Sequence, residues 1–176
     1  KKAEAYLEYL GKHDVLTQLR NRAYFEDELH RLERKGPWPV TIVAIDLNRL
    51  KATNDQAGHA AGDALLRRAG EVLGKVADKP ACAARIGGDE FVLLMPGEDE
   101  RAGTAMIERI QSLVDLNNQY YPGAVLSLAM GCATAQSGER LEATVSRADE
   151  RMFAAKRDFY TQSGMDRRTR PAPLAD

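Results

Sequence analysis

Apolar residues recur three and four positions apart in five stretches of the chain, the spacing that places them on one face of a helix. The first stretch runs from the N-terminus to about Leu10, where Gly11 offers a break. The second follows Asn21, a candidate N-cap, and extends to about Arg34. The pattern predicts five helices, of which the other three occupy much of Asn54–Val76 and the neighbourhoods of residues 106–114 and 145–159.

Four shorter apolar runs have the composition of β-strands. Val40–Ile45 is almost continuously apolar and β-branched, as expected of a strand buried on both faces. Ala81–Ile86 and Phe91–Met95 are joined through a Gly-Gly turn, which is typical of a hairpin, and Ala124–Met130 has the pattern of a further strand. The order helix, strand, helix, hairpin, helix, strand, helix predicts an α+β fold with a ferredoxin-like sheet.

The composition suits one soluble domain with a full hydrophobic core. The chain has 176 residues, of which 44% are apolar and 29% charged. Its net charge of -1 gives no basis for binding nucleic acid or a membrane surface, and no apolar stretch has the length of a membrane span. Cys82 and Cys132 stand in apolar segments, so we expect free thiols in a reducing cytoplasm. Residues 163–176 have little to bury and are expected to form a disordered tail.

Three acidic residues stand at the ends of predicted strands. Asp46 ends the first strand, and Asp89 and Glu90 precede the second arm of the hairpin. If these strands are neighbours, three carboxylates converge at one edge of the sheet and repel one another unless cations are bound. Carboxylates, a backbone carbonyl and waters form the oxygen shell of Mg²⁺, and two such ions suit in-line displacement at phosphorus. The alternative is a surface turn with solvated acids.

The residues after Asp46 include groups suited to a nucleotide. Lys51 can neutralise a polyphosphate, although the glycine spacing of a P-loop is absent. Asn54 and Asp63 supply an amide and a carboxylate, the two groups needed to read the edge of a guanine. Taken singly, each of these two residues is more often a helix cap.

Further short motifs are spaced along the chain. They are Asp14-Val15-Leu16-Thr17, Leu19, Asn21-Arg22, Asp46 to Asp55, Gly58-His59, Gly62-Asp63, Gly87 to Phe91, Ala148-Asp149, Met152-Phe153 and Lys156. Together they resemble the GGDEF family of diguanylate cyclases. The resemblance implies a fold akin to class III nucleotidyl cyclases, with a mainly antiparallel five-stranded sheet wrapped by helices. It also implies condensation of two GTP molecules into cyclic di-GMP, with release of two pyrophosphates.

The resemblance also implies how the chain is organised. Residues 14–162 are expected to form the cyclase domain, and residues 1–13 a connector helix from an upstream sensory domain. One domain holds one GTP and the product is symmetric, so catalysis is expected to need a homodimer. The resemblance also implies a cytoplasmic domain of a larger signalling protein, and this location is compatible with a membrane anchor elsewhere in that protein.

By the same resemblance, the acids and one arginine form the catalytic and metal-binding set. Asp46 and Glu90 look like the metal-binding carboxylates, aided by the backbone carbonyl of Leu47, for two Mg²⁺ or Mn²⁺ ions per active site. Asp89 resembles the acid that lies beside the 3′-hydroxyl and the metal, and it is a candidate general base. Arg85 matches the arginine that precedes the signature and is assigned to the catalytic set.

The substrate-binding positions follow in the same way. Asn54 and Asp63 match the guanine readers. Lys51 and Lys156 match basic contacts to the triphosphate, and Lys51 is also assigned to the catalytic set. Three further positions are expected to lie against the nucleotide, and they are Leu50, Gly87 and Gly88.

Four positions depart from the family pattern. Asp78-Lys79-Pro80-Ala81 replaces the Arg-x-x-Asp motif of members inhibited by their product, so strong product inhibition at that place is not expected. Tyr160 stands where many members have an arginine, and one triphosphate contact is therefore missing or supplied by Arg157. Asn48 replaces a common aspartate without an expected loss of activity, and Ala129 replaces a frequent serine.

Two other functions compete with an active cyclase. One is a catalytically silent module that binds GTP or a protein partner, but such modules typically lose signature acids, and Asp89 and Glu90 are both present. The other is a related cyclase that makes a mixed adenine-guanine dinucleotide. The presence of Asp63 argues against relaxed base choice.

Overall fold

The structure is a computed structural model that describes residues 1–163, and most of this range is helical. The predicted disordered tail lies outside the described residues, apart from Ser163. Within the described range, none of the helices combines the length and the apolar character needed to cross a membrane. The helices are α1 (Lys2–Lys12), α2 (Arg22–Lys35), α3 (Leu50–Ala57), α4 (His59–Val76), α5 (Glu100–Tyr120) and α6 (Leu141–Gln162).

One antiparallel sheet is present in residues 1–163, with the strand order β2-β3-β1-β4. The strands are β1 (Val40–Leu47), β2 (Cys82–Arg85), β3 (Glu90–Pro96) and β4 (Leu128–Ala135). Helices connect β1 to β2 and β3 to β4, which gives the ferredoxin-like arrangement and confirms the α+β fold. The described range contains four strands rather than the implied five. The segment beside β2 makes only a single-residue bridge, between Arg20 and Ala84, and is too short to count as a strand.

Strand β1 lies at the centre of the domain, and all of its residues are buried. Successive side chains of a strand point to opposite faces of the sheet. Ile42 and Ala44 therefore pack in the cluster with α2 and α6, whereas Val43 and Ile45 pack in the cluster with α4 and α5. Helices on both faces explain why β1 has no polar alternation until Asp46, and they confirm the prediction of a buried strand.

The N-terminal helices follow the predicted bounds closely. Helix α1 continues through Gly11 to Lys12, because one glycine weakens a helix by about 1 kcal/mol but does not by itself end it. Asn21 caps α2 as predicted: its Oδ1 accepts a hydrogen bond from the backbone N–H of Tyr24 at 2.9 Å. No residue of α1 is buried.

The single helix predicted over much of Asn54–Val76 is wrong, because two helices occupy the region. Helix α3 begins earlier, at Leu50, and Gly58 ends α3 and precedes α4. The φ of Gly58 is +87°, a conformation that side-chain-bearing residues rarely adopt. The break turns the chain so that α3 packs against α4 beside the end of β1.

The strand predicted at Ala124–Met130 is displaced along the chain, since β4 spans Leu128–Ala135. Side chains satisfy the backbone just before β4. The amide of Asn118 accepts from the N–H of Leu126 and donates to its carbonyl, both at 2.8 Å. Arg68 donates to the carbonyl of Ala124 at 2.7 Å. The apolar pattern of residues 124–127 therefore predicts a strand, although side chains rather than a neighbouring strand supply the hydrogen bonds to this backbone.

Candidate functional site

The pairing of β1 with β3 brings acidic residues from distant parts of the sequence together. Asp46 and Glu90 are direct partners in the antiparallel register, so their side chains lie on the same face of the sheet. The backbone N–H of Leu47 donates to the carbonyl of Asp89 at 2.9 Å, which fixes the hairpin tip beside the end of β1. The strands are therefore neighbours, as the prediction of a carboxylate cluster required.

Lys156 supplies the positive charge at this edge. It extends from α6, and its Nζ lies 2.8 Å from Asp46 Oδ2 and 4.0 Å from Asp89 Oδ2. The Asp46 side chain is 7% exposed and the Lys156 side chain 21%, so this pair is better shielded from water than a surface ion pair. The lysine thus partly compensates the repulsion between the two acids.

Asp46 is held in an environment that opposes its ionisation. The pKa of this carboxyl is raised from 3.8 to about 6, and burial is the largest cause. The Lys156 ammonium acts to lower the pKa, and the nearby Asp89 acts to raise it. The buried Oδ1 atom of Asp46 has no hydrogen-bond partner. A buried carboxylate oxygen without a partner is costly, so this atom is suited to accept a cation.

The donor atoms at this edge are oxygens, the type that a hard metal ion such as Mg²⁺ prefers. In the range that the structure describes, no group of three or more His, Cys, Asp or Glu side chains is close enough together to hold one. Mg²⁺, however, is usually bound by one or two carboxylates, waters and substrate phosphates rather than by an all-protein cage. The free Oδ1 of Asp46, the carboxylate of Glu90 and the carbonyl of Leu47 are hard oxygen donors of this kind, and they fit the ion.

A cavity of about 410 Å³ lies next to the carboxylates. Residues along α3 and in the last turns of α6 form its walls, so basic side chains share it with the carboxylates of Asp55 and Asp89. This cavity is hereafter called the α3–α6 cavity. Its lining includes Leu47, Leu50, Lys51, Asp89, Lys156 and Tyr160.

The proposed guanine readers stand on adjacent helices. Asn54 is in α3 and Asp63 in α4, and neither is a cap, since Arg49 and Gly58 precede the two helices. The side chain of Asn54 lies against Gly62, and its buried Oδ1 has no partner. The position of Asn54 inside α3 excludes the helix-cap interpretation, and its buried amide oxygen lacks a hydrogen-bond donor.

Arg85 is anchored to the protein by both ends of its guanidinium. It donates to the carbonyl of Gly88 from Nη2 at 2.9 Å and from Nε at 3.2 Å. Its Nη1 lies 3.3 Å from Oδ1 of Asp14, whose other oxygen accepts from the N–H and hydroxyl of Thr17. These contacts favour a positioning role for Arg85, which holds the hairpin tip where Gly87 and Gly88 lie.

The supporting role of Asp14 is not evident from the sequence. The Asp-x-x-Thr spacing is typical of a side chain that closes a turn, and this signal accounts for the contacts to Thr17. The contact between Arg85 and Asp14 forms only in the folded chain, because the two residues are 71 positions apart in the sequence.

The structure shows the neighbours of two residues that depart from the family pattern, Asn48 and Ala129. The amide nitrogen of Asn48 donates to Ser127 Oγ at 3.0 Å, and the backbone N–H of Asn48 donates to the carbonyl of the same serine. Ala129 is the register partner of Asp46 on β4. An alanine there offers no hydroxyl, which is consistent with the missing partner of Asp46 Oδ1.

Comparison with known proteins identifies a family over most of the chain. Residues 11–161 match the family model described as "Diguanylate cyclase, GGDEF domain". The chain is 37% identical over 156 residues to the Escherichia coli (strain K12) protein named "Probable diguanylate cyclase DgcE", covering 85% of this chain and 14% of that protein. It is 33% identical over 150 residues to the diguanylate cyclase DgcP of Pseudomonas aeruginosa, covering 82% of this chain and 22% of that protein.

The fold is also similar to solved structures. The coiled coil and GGDEF domain of DgcB from Caulobacter crescentus, in complex with c-di-GMP, superposes with a TM-score of 0.81 at 28% identity. That match covers 89% of this chain and 86% of the DgcB chain. The chain spans less than a quarter of the length of DgcE or DgcP, so it corresponds to one part of those proteins. The chain belongs to the GGDEF domain family of diguanylate cyclases.

Proposed function

We propose that this domain is a diguanylate cyclase that condenses two GTP molecules into cyclic di-GMP. The observation that carries the proposal is the cross-strand pair of Asp46 and Glu90, with an unpaired buried oxygen on Asp46 and Lys156 beside it. Relatives that share a third of the sequence are named diguanylate cyclases, which supports the same activity.

The family implies a metal-dependent reaction, and the donor atoms described above fit Mg²⁺ or Mn²⁺. Asp46, Glu90 and the carbonyl of Leu47 would hold the ions. When bound, two such ions supply charge stabilisation for the attacking oxygen and for the leaving pyrophosphate. Asp89 would lie beside the 3′-hydroxyl and accept its proton, while Lys156 balances the charge of the acids.

The nucleotide would lie between the hairpin tip and α3. The amide of Asn54 would accept and donate at the guanine edge, and the carboxylate of Asp63 would accept from N1–H and the exocyclic amine. Lys51 would meet the triphosphate in the α3–α6 cavity, where Leu50 also lies. Fixed cations at the phosphates stabilise the charge that develops on the leaving group more than they stabilise bound GTP.

The chemistry requires two copies of the domain. The 3′-oxygen of one GTP attacks the α-phosphorus of the other, the bond from that phosphorus to the bridging oxygen breaks, and pyrophosphate leaves. The same step with the roles exchanged closes the ring and releases the second pyrophosphate. Each domain presents one nucleotide, so we propose a homodimer in which two sites face each other.

Helix α1 is suited to control this pairing. Tyr6 and Leu7 of α1 are 60% and 67% exposed, so these apolar side chains stay uncovered by the other residues of the described range 1–163. We propose that α1 connects the domain to an upstream sensory segment and pairs with α1 of the second copy. The cytoplasmic location expected from the free thiols and from GTP as substrate stays a prediction.

The test is product formation by the full chain, alone and fused at its N-terminus to a parallel two-stranded coiled coil. With GTP and Mg²⁺, chromatography and mass spectrometry should detect cyclic di-GMP, with a higher rate for the fusion. Glu90→Gln should reduce the rate at least a hundredfold. Glu108→Gln, an exposed acid on α5, is the matched control and should retain the rate of the unmodified fusion.

The competing functions give different outcomes. A fusion that binds GTP but forms no product would indicate the silent GTP-binding module. A mixed dinucleotide formed from equal ATP and GTP would indicate relaxed base choice, which Asp63 argues against.

A further inference from the structure

The hydroxyl of Tyr160 forms a hydrogen bond to the backbone on the far side of the α3–α6 cavity. Its oxygen accepts from the N–H of Arg49 at 3.0 Å. Tyr160 is half-buried in the last turns of α6, and Arg49 precedes the first residue of α3. This bond is the contact by which a side chain of α6 holds the start of α3.

The backbone of Arg49 has a conformation that needs such support. Its φ is +64° and its ψ +22°, in the left-handed region, which costs a residue with a side chain roughly 1 kcal/mol or more. No side chain caps α3, so Arg49 reaches its position without the usual help at a helix start. The bond to Tyr160 therefore fixes where α3 begins, and with it the positions of Leu50 and Lys51.

The hydroxyl of Tyr160 still has a proton to donate. A phenol that accepts through its oxygen keeps its own O–H for a second partner. Tyr160 follows Lys156 by four residues on α6, so the two side chains lie on the same face about 6 Å apart along the helix axis. Both line the α3–α6 cavity together with Arg49, Lys51, Asp55 and Asp89. The free O–H thus belongs to a cavity in which three cationic side chains outnumber two carboxylates.

We propose that Tyr160 binds the terminal phosphates of GTP and holds the Arg49 turn that shapes their site. Its oxygen accepts from the N–H of Arg49, and its O–H donates to a phosphate oxygen. The inference rests on the proposed function, because it assumes that the triphosphate lies in the α3–α6 cavity. It differs from the expectation that one triphosphate contact is missing or supplied by Arg157, since a neutral donor at Tyr160 takes the place of a charged one.

The test is Tyr160→Phe in the full chain, which removes only the hydroxyl. Isothermal titration calorimetry with Mg²⁺ should give a dissociation constant for a non-reacting α,β-methylene analogue of GTP about tenfold above that of the unmodified chain, since a hydrogen bond to a charged group is lost. Binding of GMP, which lacks the terminal phosphates, should change less than twofold. In the cyclase assay the KM for GTP should rise while kcat stays within twofold.

A second measurement tests the contact to Arg49 without any ligand. Hydrogen exchange of the segment 47–52 should become faster in Tyr160→Phe, because the N–H of Arg49 loses its acceptor. Tyr120→Phe is the matched control: this tyrosine is 79% exposed on α5, away from the cavity, and its variant should match the unmodified chain in every measurement.

The outcomes separate this inference from the proposed function. If the unmodified chain binds the GTP analogue and Tyr160→Phe binds it equally well, the role of Tyr160 is refuted and the cyclase proposal stands. Equal losses for GMP and the GTP analogue would also refute it, because a general structural defect would then explain the loss. If the unmodified chain binds neither nucleotide, the proposed function fails and the role of Tyr160 fails with it.

Discussion

The contact between α3 and α4 allows a sharp test of the proposed guanine site. A Cβ added at Gly62 would lie 1.8 Å from Oδ1 of Asn54 and 2.8 Å from its Cγ. Carbon atoms in good contact are about 3.5–4.0 Å apart, so the amide must rotate away from α4. Gly62→Ala is therefore a way to displace Asn54 without changing Asn54 itself.

The expected effects on stability and on binding differ in size. The displaced group is the end of a side chain, and its Oδ1 has no partner to lose. Alanine also favours a helix over glycine by about 1 kcal/mol, so the free energy of unfolding should change by no more than about 1 kcal/mol. GTP, by contrast, should lose its hydrogen bonds to the amide. A loss of about 1–3 kcal/mol corresponds to a dissociation constant roughly fivefold to 150-fold higher.

The assay compares two alanine variants of the same helix. GTP binding is measured by calorimetry and the free energy of unfolding by urea titration, for Gly62→Ala and for Gly74→Ala. A Cβ added at Gly74 meets nothing within 4 Å, so this variant should bind GTP normally. If Gly62→Ala binds GTP within twofold of the unmodified chain, Asn54 does not contact the base and its assignment as a guanine reader is refuted.

Three further predictions concern the acids. The raised pKa of Asp46 means that the folded, metal-free protein holds this proton more tightly than the unfolded chain. The group's contribution to stability should therefore fall between about pH 4 and pH 6 and level off above, by at most about 3 kcal/mol. In urea titrations with EDTA, Asp46→Asn should remove this fall, and an unchanged pH profile would contradict the origin of the shift. Ala129→Ser should lower the pKa of Asp46 by donating to its unpaired oxygen, as measured by carbon NMR of the carboxyl group; an unchanged pKa would count against that geometry. Asp14→Ala should leave Arg85 without its carboxylate partner and speed hydrogen exchange in residues 86–90. Unaltered exchange would show that the ion pair between Asp14 and Arg85 does not hold the hairpin tip.

Local signals in the sequence were enough for many elements. Asn21 precedes an amphipathic stretch and caps α2, and the continuous apolar run of β1 is buried on both faces. Asp46 and Glu90 could be suspected as partners only on the condition that their strands pair. The register of β1 with β3 meets that condition, and no local pattern determines it.

The errors arose where side chains or a single backbone conformation override the apolar pattern. The apolar spacing continues across Gly58, so it cannot show that a positive φ divides the helix there. Leu126 looks like a strand residue, yet the amide of Asn118 satisfies its backbone. The bond between Arg49 and Tyr160 joins residues 111 positions apart, so no local pattern indicates it.

The most direct test of the central claim is phosphorus NMR of the dimerised chain with GTP and Mg²⁺. The GTP signals should be replaced by those of cyclic di-GMP and pyrophosphate, in a ratio of one to two, and Glu90→Gln should abolish both. Unchanged GTP, or its conversion to GDP and inorganic phosphate, would contradict the assignment of this site to the condensation of two GTP molecules.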